Sequence, residues 1–187
     1  MLPHHGCVPG RRLIVMRHAK AGELPGGPDI ERALLPRGRR DSEAAGRWLA
    51  VAGLQPDLVL CSAARRTRQT WQQIAEVLAA EPQGGLPDVL VERRLYQADV
   101  DDLAEIIRQT DPEVRTLLYI GHNPEAAGLV GLVTGTEPDF PTAAIAVVAV
   151  PGNWADLPSG GYGGSSRRAN PAGGNEVIAS WVPRSRH

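Results

Sequence analysis

Hydrophobic positions alternate along this chain between short unbroken runs and longer stretches with helical spacing. Leu13-Ile14-Val15-Met16, Leu58-Val59-Leu60-Cys61 after Asp57, and Thr116 to Ile120 are continuous runs, the pattern of strands buried on both faces. Val89 to Val91 is a weaker run, and Ala143 to Val150 and Glu176 to Val182 add two more strands. Between them, Asp41 to Ala52 carries Ala44, Ala45, Trp48 and Leu49 at helical spacing and stops at Gly53. Thr67 to Ala80 sets Trp71, Ile74, Ala75 and Leu78 on one face. Asp101 to Thr110 turns Leu103, Ile106 and Ile107 inward, with Asp101 or Asp102 as its cap. Pro124 suits the first turn of a helix running to about Thr134. Strands alternating with helices predict an α/β fold, a three-layer sandwich around a largely parallel central sheet.

At 187 residues the chain suits one domain with a sizeable core. Residues 1–10 read as a disordered leader and 11–187 as a single domain. Pro158 to Asn175 is rich in Gly, Ser and Arg without periodicity, the composition of a flexible insert. Aromatic residues make up only 4%, so packing rests on Ala, Leu, Val and Ile. A net charge of −1 argues against a general nucleic-acid or acidic-membrane binder. No apolar run is long enough to span a bilayer, and Pro3, His4, His5, Gly6 and Pro9 interrupt any secretory signal. Cys7 and Cys61 form no disulfide framework, which points to a reducing, cytoplasmic setting.

The chemistry gathers where strands end. Arg17-His18, Ser62 to Arg66, and His122-Asn123 each follow an apolar run. In a parallel α/β sheet those ends share one edge, where ligands usually bind. Of the five histidines only His18 and His122 lie inside the folded region, each at the end of a strand. A single such His is easily a loop residue satisfied by backbone; two in equivalent positions, with Arg nearby, describe an anion site. A metal site lacks ligands: there is no His-x-x-x-His, no Cys-x-x-Cys and no carboxylate beside either His, and Arg17 would repel a dication. Phosphoryl transfer fits instead. A neutral imidazole can carry a phosphoryl group, and Arg binds its oxygens through paired charge-assisted hydrogen bonds.

Val15-Met16-Arg17-His18-Ala19-Lys20 resembles the Arg-His-Gly signature of the histidine phosphatase superfamily, with Ala for Gly as in short SixA-like members. Ser62-Ala63-Ala64-Arg65-Arg66-Thr67-Arg68-Gln69-Thr70 resembles that family's Ser-Pro-Leu-x-Arg-Ala-x-Gln-Thr segment. Counting from Ser62 and from Gln69-Thr70 puts the family's second phosphate Arg at Arg66, not Arg65. Gly121-His122-Asn123-Pro124 resembles the second-histidine motif, and Arg32-Ala33-Leu34-Leu35-Pro36-Arg37-Gly38 the Arg-Pro-Leu-Thr-x-x-Gly stretch. Leu95-Tyr96-Gln97-Ala98 and Pro141 to Ala146 also fit the SixA-like subgroup, so the resemblance runs in order over about residues 12–150.

The resemblance implies a phosphoglycerate mutase-like fold and a phosphatase that works without metal or cofactor. His18 would become phosphohistidine, Arg17 and Arg66 would clamp the phosphoryl oxygens, and His122 would donate to one of them. The larger relatives' acidic proton donor has no clean match; Glu92 is nearest, with Arg93 or Arg94 at the expected place. Lacking a strong acid suits phosphohistidine in a protein, whose imidazole leaving group can be protonated beforehand. The long insertions that close the site in mutases are also missing, which implies an open, shallow site. A phosphatase of small phosphoesters and a catalytically weak phosphate-binding regulatory module are the alternatives. Lys20 would line the pocket mouth or stay solvated, Ser62 would cap the turn into the following helix, and Arg65, Arg68 and the Arg37, Arg39, Arg40 run would be surface charge.

Overall fold

The apolar runs become six strands of one sheet: β1 (Arg11–Arg17), β2 (Leu58–Ser62), β3 (Asp88–Glu92), β4 (Thr116–Gly121), β5 (Ile145–Val150) and β6 (Glu176–Trp181). Their order across the sheet is β3-β2-β4-β1-β5-β6. The first four in that order run parallel, and β5 is antiparallel to both β1 and β6. This computed structural model describes residues 10–81, 85–159 and 174–184. The expected leader, apart from Gly10, and most of the expected insert lie outside the described residues.

Strand period sorts each apolar run onto two faces. Leu13, Val15, Leu117 and Tyr119 join one core with Leu103, Ile107, Leu129 and Val130. These last come from α4 (Val100–Arg108) and α5 (Glu125–Thr134). Ile14, Met16, Leu118 and Ile120 join a second core with Ala45, Leu49, Ile74 and Leu78. These belong to α1 (Pro36–Val51) and α2 (Arg65–Ala79). The central sheet is therefore covered on both sides, a three-layer sandwich. The edge strand β3 leaves Val89, Leu90 and Val91 exposed, which accounts for its weak sequence signal.

Helix boundaries differ from expectation where capping and side-chain partners decide them. α1 starts at Pro36 rather than Asp41 and takes in Arg37, Arg39 and Arg40; proline at the first helical positions needs no N–H there. α4 is capped by Asp99, not by Asp101 or Asp102. The Asp99 side chain accepts from the Asp102 N–H at 2.8 Å, and Asp102 reaches back to the Asp99 N–H. Only Asp99 has the extended backbone a cap requires, so Asp101 and Asp102 form the first turn. A short helix, α3 (Arg94–Gln97), was not expected. Strand β5 begins at Ile145 because Ala143 takes a left-handed φ of 63° and turns its N–H to the His18 carbonyl.

Register places the chemistry. β1 and β4 pair Arg17 with Gly121, and the His18 N–H continues that ladder onto the Gly121 carbonyl at 2.9 Å. β2 and β4 pair Cys61 with Ile120. His18, Ser62 and His122 therefore leave three adjacent parallel strands at one level.

Candidate active site

The strand ends enclose an open cleft of about 270 Å³ lined by Arg17, His18, Lys20, Ala21, Arg32, Arg66, His122, Asn123 and Thr142. Its lining carries four cations and no carboxylate. The His18 and His122 rings lie 5.2 Å apart, centroid to centroid, with an interplanar angle of 60°. Neither ring turns into the core. Lys20 is exposed at the rim, and Arg65 and Arg68 are exposed, away from the lining.

Hydrogen bonds define which nitrogen of each ring is free. Arg66 Nε is 3.2 Å from His18 Nε2, and a guanidinium can only donate. Nε2 is thus the lone-pair nitrogen, and Nδ1–H donates to the Ala19 carbonyl at 2.8 Å. Arg66 Nη2 lies 3.3 Å from His122 Nδ1. By the same logic His122 Nε2 holds the proton and donates to Ser62 Oγ at 2.8 Å. Ser62 Oγ accepts from the Ala64 N–H at 3.5 Å in the turn into α2, as expected, although Ala64 is the N-cap residue itself; the same hydroxyl also faces His122 because β2 ends beside β4.

The local sequence explains why these side chains are held. Thr70 Oγ1 accepts from the Ala19 N–H at 3.1 Å, and Gln69 Oε1 accepts from the Leu34 N–H at 2.8 Å. The Gln-Thr pair thus ties the segment after β1 onto α2. Arg17 Nη1 and Asn123 Nδ2 both donate to the Phe140 carbonyl, at 3.0 and 2.9 Å. Arg17 Nε and Asn123 Oδ1 are buried without a protein hydrogen-bond partner. A buried donor of that kind beside an anion cleft has capacity for a ligand oxygen.

Glu92 ends β3, and its carboxylate lies 3.5 Å from Arg94 Nε; it does not line the cleft. The acidic residue that touches the site is Asp29, which sequence reasoning missed. It lies in a 3₁₀ turn (Asp29–Glu31) inside a Pro/Gly-rich loop. Its carboxylate accepts from Arg66, Arg32 and Tyr96. The hydrogen bond from Arg32, with those from Tyr96 and Arg66 and the Arg66 charge, holds Asp29 below the usual carboxylate range. These contacts favour the ionised form of Asp29. Its one sequence signal was its place three residues before Arg32 of the motif. Tyr96, from the motif-like Leu95-Tyr96-Gln97-Ala98, packs edge-on against His122 at 5.6 Å.

Burial, reinforced by the charges of the site, depresses both imidazoles. His18 falls to about 3, chiefly by desolvation and then by His122, Arg66 and Arg17, against the Ala19 carbonyl bond. His122 falls to about 4 by desolvation and Arg66, with Asp29 opposing. As pH drops, the unfolded chain protonates its histidines first. The stability that neutral rings contribute is whole above pH 6.5 and is lost towards about 4 and then 3. Histidine proton resonances of the unliganded protein should accordingly show both rings neutral from pH 8 to 5. A midpoint near 6.5 for either ring would contradict this electrostatic picture.

Among the described residues no group of three or more His, Cys, Asp or Glu side chains is placed to hold a metal ion. None of the described helices is long and apolar enough to cross a membrane.

A covered six-stranded α/β sheet with two neutral imidazoles and two guanidiniums at its strand ends defines a phosphate-handling α/β enzyme. Residues 13–117 match the histidine phosphatase superfamily (branch 1), and the chain belongs to that family, as a SixA-like phosphatase. An uncharacterised Mycobacterium tuberculosis protein, Rv1276c, is 36% identical over 156 residues, covering 78% of this chain and 93% of the relative. Among solved structures, a candidate phosphohistidine phosphatase SixA from Nakamurella multipartitia superposes with a TM-score of 0.74 at 28% identity. That match covers 94% of this chain and 98% of the other. The protein histidine phosphatase SixA complexed with tungstate gives 0.64 at 28% identity, over 73% and 86% of the two chains.

Proposed function

We propose that this phosphatase removes phosphoryl groups from phosphohistidine in a protein through a covalent intermediate on His18. The observation that carries the reading is the orientation of His18. Its Nδ1–H is fixed on the Ala19 carbonyl, so the Nε2 lone pair faces Arg66 and the cationic cleft. In the first step the Nε2 lone pair bonds to phosphorus as the bond to the substrate imidazole breaks. The leaving nitrogen takes that electron pair, and a proton already on the other nitrogen of the substrate ring lets it depart as neutral imidazole. In the second step water attacks phosphorus, the His18 nitrogen recovers its lone pair, and phosphate departs. Arg17 and Arg66 meet the charge on the equatorial oxygens with fixed donors, where most of the acceleration in phosphoryl transfer lies. A bound phosphoryl anion offsets the two guanidiniums and raises the basicity of His122 Nδ1. His122 then takes a proton from solvent at Nδ1 and donates it to one phosphoryl oxygen, while its Nε2–H keeps its hydrogen bond to Ser62 Oγ. This reading needs no metal and gives Glu92 no part, since its carboxylate engages Arg94.

An acid-poor site favours a phosphorus–nitrogen bond over an alkoxide leaving group. In parallel assays, a phosphohistidine-bearing protein and a small phosphoramidate should exceed an alkyl phosphate monoester in kcat/KM by about tenfold or more, roughly 1.4 kcal/mol of transition-state preference. Faster turnover of the alkyl phosphate would overturn the proposed substrate class.

A further inference from the structure

Arg66 is a flat group with two usable edges, one formed by Nε and Nη2 and the other by Nη1 and Nη2. In this structure the two edges have different tasks. Nη1 donates to the Asp29 carbonyl at 2.8 Å, and Nη2 donates to the Asp29 carboxylate at 2.9 Å. Nε and the second hydrogen of Nη2 point at His18 Nε2 and His122 Nδ1, at 3.2 and 3.3 Å. Asp29 thus occupies one edge completely and leaves the other facing the space between the two imidazoles. Asp29 is held in turn: Arg32 Nη1 donates to Oδ1 at 2.8 Å and the Tyr96 hydroxyl to Oδ2 at 2.8 Å. Arg32 is also tied to the Gly22 carbonyl at 2.8 Å, and the Arg66 guanidinium lies 5.8 Å from the Tyr96 ring centroid.

We propose that Asp29 is the positioning residue that selects which edge of Arg66 meets the phosphoryl group, with Arg32 and Tyr96 fixing Asp29. The inference rests on the phosphoryl-transfer reading of the site. A carboxylate one guanidinium away from the phosphoryl position repels an anion and so weakens ground-state binding. A site selected only for affinity would have no use for it. Its gain is geometric: Arg66 has a side chain 7% exposed, while that of Asp29 is 50% exposed, so the partner that sets the buried Arg comes from the loop side of the cleft. A fork turned out of place still attracts an anion, yet fails to match the oxygens of the transition state.

The opposed effects on binding and turnover distinguish positioning from scaffolding. Asp29→Asn should lower kcat by about tenfold or more, within the range a misaligned group costs. Tungstate affinity by calorimetry should stay the same or tighten. Tyr96→Phe, which removes one anchor of Asp29 and keeps the ring, should shift both quantities in the same senses by less. Asp29→Glu should recover part of kcat. A kcat within twofold of the parent in Asp29→Asn, or parallel losses in kcat and tungstate affinity, would overturn the proposal. A readout independent of turnover is the Arg66 Nε–H resonance. It should be protected from solvent exchange in the parent and lose that protection in Asp29→Asn and, more weakly, in Tyr96→Phe; unchanged protection in both also overturns the inference. If the parent hydrolyses no phosphoramidate but this resonance responds, the substrate reading fails and the placement of Arg66 by Asp29 stands.

Discussion

His18→Ala is expected to eliminate turnover, by about four orders of magnitude or more, as is usual when a covalent nucleophile is removed. It should also abolish an acid-labile, base-stable phosphoprotein in rapid-quench samples. The loss should be chemical and not structural. The His18 backbone is held from both sides, by its N–H on the Gly121 carbonyl and by its own carbonyl accepting from the Ala143 N–H. Neither contact involves the side chain. Arg17, Arg66 and His122 remain, so the variant should still bind tungstate while failing to turn over. Activity near that of the parent would end the covalent proposal. A phosphoprotein that persisted in the variant would move the nucleophile elsewhere.

Arg66→Ala carries the second large effect. Removing a charged donor from a preorganised oxyanion site costs about 3–4 kcal/mol of transition-state stabilisation, or 10²–10³ in kcat/KM. Arg66 touches both imidazoles and closes the far side of the cleft against Asp29. Its loss therefore also leaves the Asp29 carboxylate less neutralised beside the anion, so the upper part of that range is expected. Lysine should recover little. One ammonium cannot donate along a planar edge to two phosphoryl oxygens while its other side binds a carboxylate. Steady-state kinetics of the Ala and Lys variants test this, and full activity in Arg66→Lys would show that charge alone suffices.

The part of the fold fixed by burial was legible without coordinates. Leu13 to Met16 and Leu117 to Ile120 are apolar at consecutive positions, which suits strands covered on both sides, and they lie in the two central strands β1 and β4. The register that follows brings His18 and His122 together from sequence positions far apart. What stayed hidden depends on tertiary contacts that leave no periodic trace. Asp29 sits in a Pro/Gly-rich loop without periodicity, and its partners Arg66 and Tyr96 are 37 and 67 positions away. Ser62 has the residue type and location to cap the turn into α2, and only the adjacency of β2 and β4 reveals that its hydroxyl also meets His122. Asp99, Asp101 and Asp102 are all of a capping residue type, and only backbone geometry separates the cap from the first turn.

Because the nucleophile and its partner ring hang from hydrogen-bonded neighbours at the middle of the sheet, their gap inherits the interstrand pitch, about 4.8 Å. The 5.2 Å between rings is close to that value. Strand pairing thus fixes where the two rings start, and hydrogen bonds from Ala19, Ser62 and Arg66 orient them. Segments that shape the rim act on the side chains around the anion, as Asp29 does on Arg66, and not on the strand spacing from which the two rings project.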